Sequence, residues 1–176
     1  MKIDIKFIEV IVLVLLALIS DIKTFKIKNI IILPFILIGL ITNTVMDGMA
    51  GLVLSLQGIF VPILLLGLFF ILRMLGAGDI KLFSAIGAIT GMESVAYTII
   101  YSFLAGGVIA LTIMIMNKNG RKRFAYLLNY FKSCILTLSL LPYTDFQDKS
   151  DGAKFRFTYA IACGVILQLL WMPPFW

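Results

Sequence analysis

Residues 52–72 carry no charged side chain, and most of the chain repeats that pattern: long apolar runs separated by short charged stretches. About 20 predominantly apolar residues are enough to cross the hydrocarbon core of a bilayer as a helix. Runs of this kind cover 3–20, 30–46, 52–72, 94–116 and 155–172, with a shorter one at 80–91 behind a glycine-rich entry. Composition removes the alternative of a water-soluble globule. The 176 residues are 61% hydrophobic and only 14% charged, where a soluble domain carries nearer a quarter charged residues. In hydrocarbon every backbone polar group must be satisfied within the chain, which favours helices. The expectation is an all-α, polytopic transmembrane helical bundle, one domain over 1–176, with about six spanning helices. The stretch 124–143 is divided by Lys132 and too short in its apolar part to span. It reads as an interfacial or re-entrant helix.

Charge gives the bundle a direction. If the loop after the first span faces the cytoplasm, all but Lys2 and Lys6 of the 15 basic residues fall on that side. The excess of Lys and Arg on cytoplasmic loops then orients the chain in the plasma membrane, with both termini outside. The formal charge of +6 is accounted for in this way. No basic stripe with interleaved aromatics suggests nucleic acid as a partner; the lipid bilayer is the expected one.

The inventory narrows the chemistry. There is no histidine, so Ser-His-Asp and Cys-His nucleophile systems and His metal sites are unavailable. Cys134 and Cys163 are far apart and make neither a CxxC pair nor a disulfide framework. No metal and no cofactor is expected.

Of the nine acids, Asp4, Asp47, Glu93, Asp145, Asp148 and Asp151 fall in turns and loops, where a solvated charge needs no further explanation. Glu9 lies deeper in the first span, and Lys6, three residues away on the same helix face, is its expected partner. Asp21 closes the first span and Asp79 opens the fourth, on the same side of the membrane. A carboxylate about one turn inside the boundary is costly unless it faces water or a partner, so Asp79 is a functional candidate. Two carboxylates in one cavity can divide the labour of hydrolysis: one, ionised, activates water and the other, protonated, polarises a carbonyl. On position alone two boundary charges are the commoner case, and a non-enzymatic transporter or secretion-apparatus component whose aspartates carry protons is the rival reading from another class.

The local sequence around these acids is more specific. Gly76-Ala77-Gly78-Asp79-Ile80-Lys81 resembles the GxGD-x-K signature of the intramembrane aspartic peptidases that process type IV prepilins. The stretch 21–29, DIKTFKIKN, looks like the first-aspartate motif of the same family: an Asp, a basic residue, then a short Ile-Pro-Asn. The last span, with its small residues ending in Gly164, is similar to the family's final helix. Lys28 stands where the family usually has Pro, and Lys23 where Arg is commoner. The extension with paired CxxC motifs, associated with methylation, has no counterpart, so the resemblance is to the short form and implies no methyltransferase activity.

What the resemblance implies is an aspartic endopeptidase that cleaves the basic leader of a prepilin-like membrane protein at the cytoplasmic face. Asp21 and Asp79 would be catalytic, with base and acid not assigned between them. Gly76 and Gly78 would let substrate backbone approach closely. Lys81 would either bias the ionisation of Asp79 or extend to the headgroups. Asn29 would either orient the first-aspartate loop, as part of the substrate-binding set, or cap the second helix.

Overall fold

The computed structural model describes residues 5–72, 74–116 and 156–171. Among them the chain is helical throughout, with no strand: α1 Ile5–Thr24, α2 Asn29–Ile71, α3 Ala77–Thr90, α4 Met92–Met116 and α5 Phe157–Trp171. The expected interfacial helix at 124–143 lies outside the described residues.

Six separate spanning helices are not what forms. Of the five, α2 and residues Met92–Ile113 of α4 are long and apolar enough to cross a membrane. With 14 and 15 residues, α3 and α5 reach only about 21–23 Å at 1.5 Å per residue, short of a hydrocarbon core of about 30 Å. The charges Lys6, Glu9, Asp21 and Lys23 interrupt the apolar run of α1.

The runs 30–46 and 52–72 join as one element that turns back on itself. Gly48 holds φ 62° and ψ −137° inside α2, a conformation that glycine reaches without steric cost. In a straight helix Gly39 and Ser55 would stand about 24 Å apart; here the Ser55 hydroxyl lies 3.4 Å from the Gly39 carbonyl. The arms pack closely because Gly51 leaves its side open to the Asn43 carbonyl.

The two arms of α2 hold α3 between them, and α3 is buried from Leu82 to Thr90. Glycine sets the approach on both sides. A Cβ on Gly39 would stand 2.8 Å from the Ala88 carbonyl, and Gly58 and Gly87 meet backbone to backbone with no room for a Cβ on either. Small residues at such crossings are the usual means of packing helices where lipid supplies no hydrophobic driving force.

Polar side chains cap the far end of α3. Asn43 Nδ2 donates to the carbonyls of Ala88 (2.9 Å) and Ile89 (3.1 Å), and Ser55 Oγ donates to Ala88 (2.8 Å). These satisfy carbonyls that a helix C-terminus leaves without partners. On the other flank, Gly164 of α5 packs on Ser102 of α4. An aromatic series runs Phe69–Phe103–Phe157–Phe83, with centroids 5.7, 5.4 and 6.5 Å apart, tying α5 to α2, α4 and α3.

Glu9 does not pair with Lys6. It accepts a hydrogen bond from Thr42 Oγ1 at 2.8 Å, and Lys6 reaches Asp47 at 4.0 Å. The partners offered by the packed arm of α2 replace the neighbour on the same helix.

Candidate active site

The end of α1, the start of α3 and the start of α5 enclose a cavity of about 610 Å³, within the usual range of ligand-holding pockets, about 300–1,000 Å³. All six residues singled out in the sequence line it: Asp21, Asn29, Gly76, Gly78, Asp79 and Lys81. Phe25, Lys26, Ile27, Arg156, Phe157 and Thr158 join them.

Asp21 is buried, one turn before the end of α1. The chain then reverses sharply. Phe25 takes a positive φ of 52°, uncommon for a residue with a large side chain. Its N–H donates to the Asp21 carbonyl at 3.0 Å. The hydroxyls of Ser20 and Thr24 converge on the Lys26 carbonyl, at 3.0 and 2.9 Å. Three short bonds therefore fix the turn that follows the aspartate.

Asp79 is the third residue of α3, whose N-cap is Gly76. Its carboxylate accepts a hydrogen bond from the Gly76 N–H. This is the reach-back half of a capping box, with glycine where Ser or Thr would usually stand. A Cβ on Gly76 would lie 3.1 Å from Asp79 Oδ2, so the glycine keeps open the space beside the carboxylate. Gly78 faces Ile27 of the α1–α2 connection, at 3.5 Å from its own Cβ position. Asp21 and Asp79 are close enough to act on each other electrostatically.

One reading of Asn29, the cap of α2, is not what forms. Lys28, not Asn29, is the N-cap of α2, and it makes no side-chain cap. Asn29 Oδ1 instead accepts from Lys81 Nζ at 3.0 Å, joining the start of α2 to the first turn of α3.

Sequence reasoning treated Arg156 only as one more cytoplasmic charge. In the structure its guanidinium lies 4.0 Å from the centroid of the Phe25 ring, an attractive cation–π arrangement. Thr158, 2% exposed, also lines the cavity. Both lie in the last span, and nothing in the sequence marks either one. Among the described residues no group of three His, Cys, Asp or Glu stands close enough to hold a metal ion.

The model of the type IV leader peptidase family matches residues 8–111, from the first turn of α1 into α4, a segment containing both aspartates. No curated protein and no solved structure matches the chain.

Proposed function

The chain belongs to the type IV leader peptidase family, and from that premise we propose that it cleaves the leader of a prepilin-like membrane protein with Asp21 and Asp79 as an aspartic dyad. The observation that carries the proposal is the single cavity onto which α1 brings Asp21 and α3 brings Asp79. One carboxylate, ionised, takes a proton from water as the water oxygen bonds to the scissile carbonyl carbon. The other, protonated, donates to the carbonyl oxygen. Collapse of the tetrahedral intermediate breaks the C–N bond, and the amine leaves with a proton returned from the dyad. Gly76 and Gly78 leave the rim free of side chains for an extended segment, and the Lys81–Asn29 pair forms its edge.

The substrate's apolar helix would lie in the bilayer against the enzyme, with the cavity on the cytoplasmic face of a multi-pass plasma-membrane protein. The distribution of basic residues supports that orientation. Family membership favours peptide cleavage over the rival of aspartates that carry protons in a transporter.

The test is leader cleavage of a prepilin-like substrate in reconstituted membranes. Asp21→Asn and Asp79→Asn should each lower the rate by at least about 10³-fold, because groups that act as a unit fail together. Retained cleavage in either variant refutes the dyad.

A further inference from the structure

The matched segment ends at residue 111, yet the cavity is completed by the start of α5. Arg156 stands there without an anionic partner among the described residues, although two carboxylates line the same cavity. Its guanidinium sits on the Phe25 ring instead.

Both ends of this contact are anchored, each one helical turn from an aspartate. Phe25 follows Asp21 by four residues and its N–H bonds the Asp21 carbonyl. Phe83 follows Asp79 by four residues, is fully buried, and packs on Phe157, the neighbour of Arg156. Phe157 is held in turn by Phe103 of α4. A continuous series of contacts therefore runs from Asp79 through Phe83, Phe157, Arg156 and Phe25 to Asp21. The three short bonds shape the turn at Phe25 from within 20–26, and none of them ties it to α3 or α5. Its positive φ is unfavourable for a phenylalanine, and Phe25 is largely exposed, with little else packed on its ring.

We propose that Arg156 is a positioning residue: clamped on Phe25, it fixes the turn after Asp21 relative to α3 and so sets Asp21 against Asp79. The clamp acts within the peptidase reading above and rests on it. Stacking on an aromatic face also keeps the guanidinium from pairing with either aspartate, so both carboxylates stay free to exchange protons.

The full-length protein, reconstituted with a prepilin-like substrate, tests this. Arg156→Ala and Phe25→Leu should each lower kcat by about tenfold, equivalent to about 1.4 kcal/mol in the barrier, with KM unchanged. The double variant should be no slower than the slower single one, because the two side chains make one contact. Phe25→Trp, which keeps an aromatic face, should recover part of the loss seen in Phe25→Leu. Backbone hydrogen exchange at 22–27 should quicken in both single variants. A raised KM in Arg156→Ala with no effect of Phe25→Leu would make Arg156 a substrate contact and overturn the proposal, as would additive losses or wild-type kcat in both. Asp21→Asn and Asp79→Asn are assayed in parallel: if these still cleave, the dyad fails, while the exchange rates at 22–27 still decide whether the clamp exists.

Discussion

Replacing Asn43 by Ala should loosen the inner end of α3, and the cost follows from its hydrogen bonds. The side chain is completely buried. Its Nδ2 lies within hydrogen-bond reach of Ser55 Oγ (2.8 Å) and the carbonyls of Ala88 and Ile89 (2.9 and 3.1 Å). An amide nitrogen carries two hydrogens, so three contacts amount to about two bonds. At about 0.5–1.5 kcal/mol net for each, the loss is about 1–3 kcal/mol. Interhelical bonds in membranes average nearer 0.6 kcal/mol, which puts the lower limit at about 1 kcal/mol.

Two corrections oppose each other. The Ile89 carbonyl loses its side-chain donor, which adds cost. Asn43 Oδ1 is itself buried without a partner, and its removal gives some back. When Ser55 is lost, Asn43 still donates to both Ala88 and Ile89, so Ser55→Ala should cost less than Asn43→Ala. Asn43→Asp should cost most, since it removes the donor hydrogens and sets a carboxylate against two carbonyls. Unfolding titrations in mixed micelles, followed by far-UV circular dichroism, measure the order. A Ser55→Ala loss exceeding that of Asn43→Ala, or an Asn43→Ala protein as stable as the parent, would refute the capping argument.

The two glycines before Asp79 should respond unequally. Gly76→Ala pushes a Cβ to 3.1 Å from Asp79 Oδ2 and should slow cleavage with little change in stability. Gly78→Ala meets Ile27 only at ordinary contact distance, should slow cleavage less, and should stabilise α3 by up to about 1 kcal/mol through helix propensity; equal rate losses would remove the steric argument. The Lys81–Asn29 bond is exposed, so a double-mutant cycle of Lys81→Ala and Asn29→Ala on stability should give a coupling of about 0.5–1 kcal/mol, and zero coupling would leave each residue to act alone.

The aspartates were legible because each is a charge at the end of an apolar run, and the glycines before Asp79 gave that run a recognisable entry. The reversal between 30–46 and 52–72 was legible as a short turn at 47–51, and the structure places its kink at Gly48. What the sequence hid are contacts between residues remote along the chain. Lys6 looked like the partner of Glu9 because they share a helix face, but the partner of Glu9 is on α2. Asn29 looked like a cap, yet the cap falls one residue earlier and its amide turns to Lys81. Arg156 meets Phe25 only once α5 has packed on α4 and α1; no periodicity in either segment encodes that meeting. The shortness of α3 was legible, since its apolar run ends at Gly91, the C-cap of α3; the polar side chains that meet its last carbonyls were not.

Those polar side chains explain why both aspartates open onto one cavity. Thr42 and Asn43 are adjacent on α2, and they hold different helices at one level: Thr42 binds Glu9 of α1, and Asn43 binds the Ala88 and Ile89 carbonyls of α3. From Glu9 the chain runs twelve residues along α1 to Asp21, about 18 Å. From Ala88 it runs back nine residues along α3 to Asp79, about 14 Å. Both helices lead from the same level to the same cavity, so their aspartates arrive within about 4 Å of a common depth by helix geometry alone. The turn at Phe25 and the clamp by Arg156 then need to adjust only the lateral approach of Asp21. A neighbouring pair of polar residues at the far end of the bundle, Asn43 buried and Thr42 half-buried, therefore sets the depth of the site, and the aromatic and cationic contacts at the near end set its width.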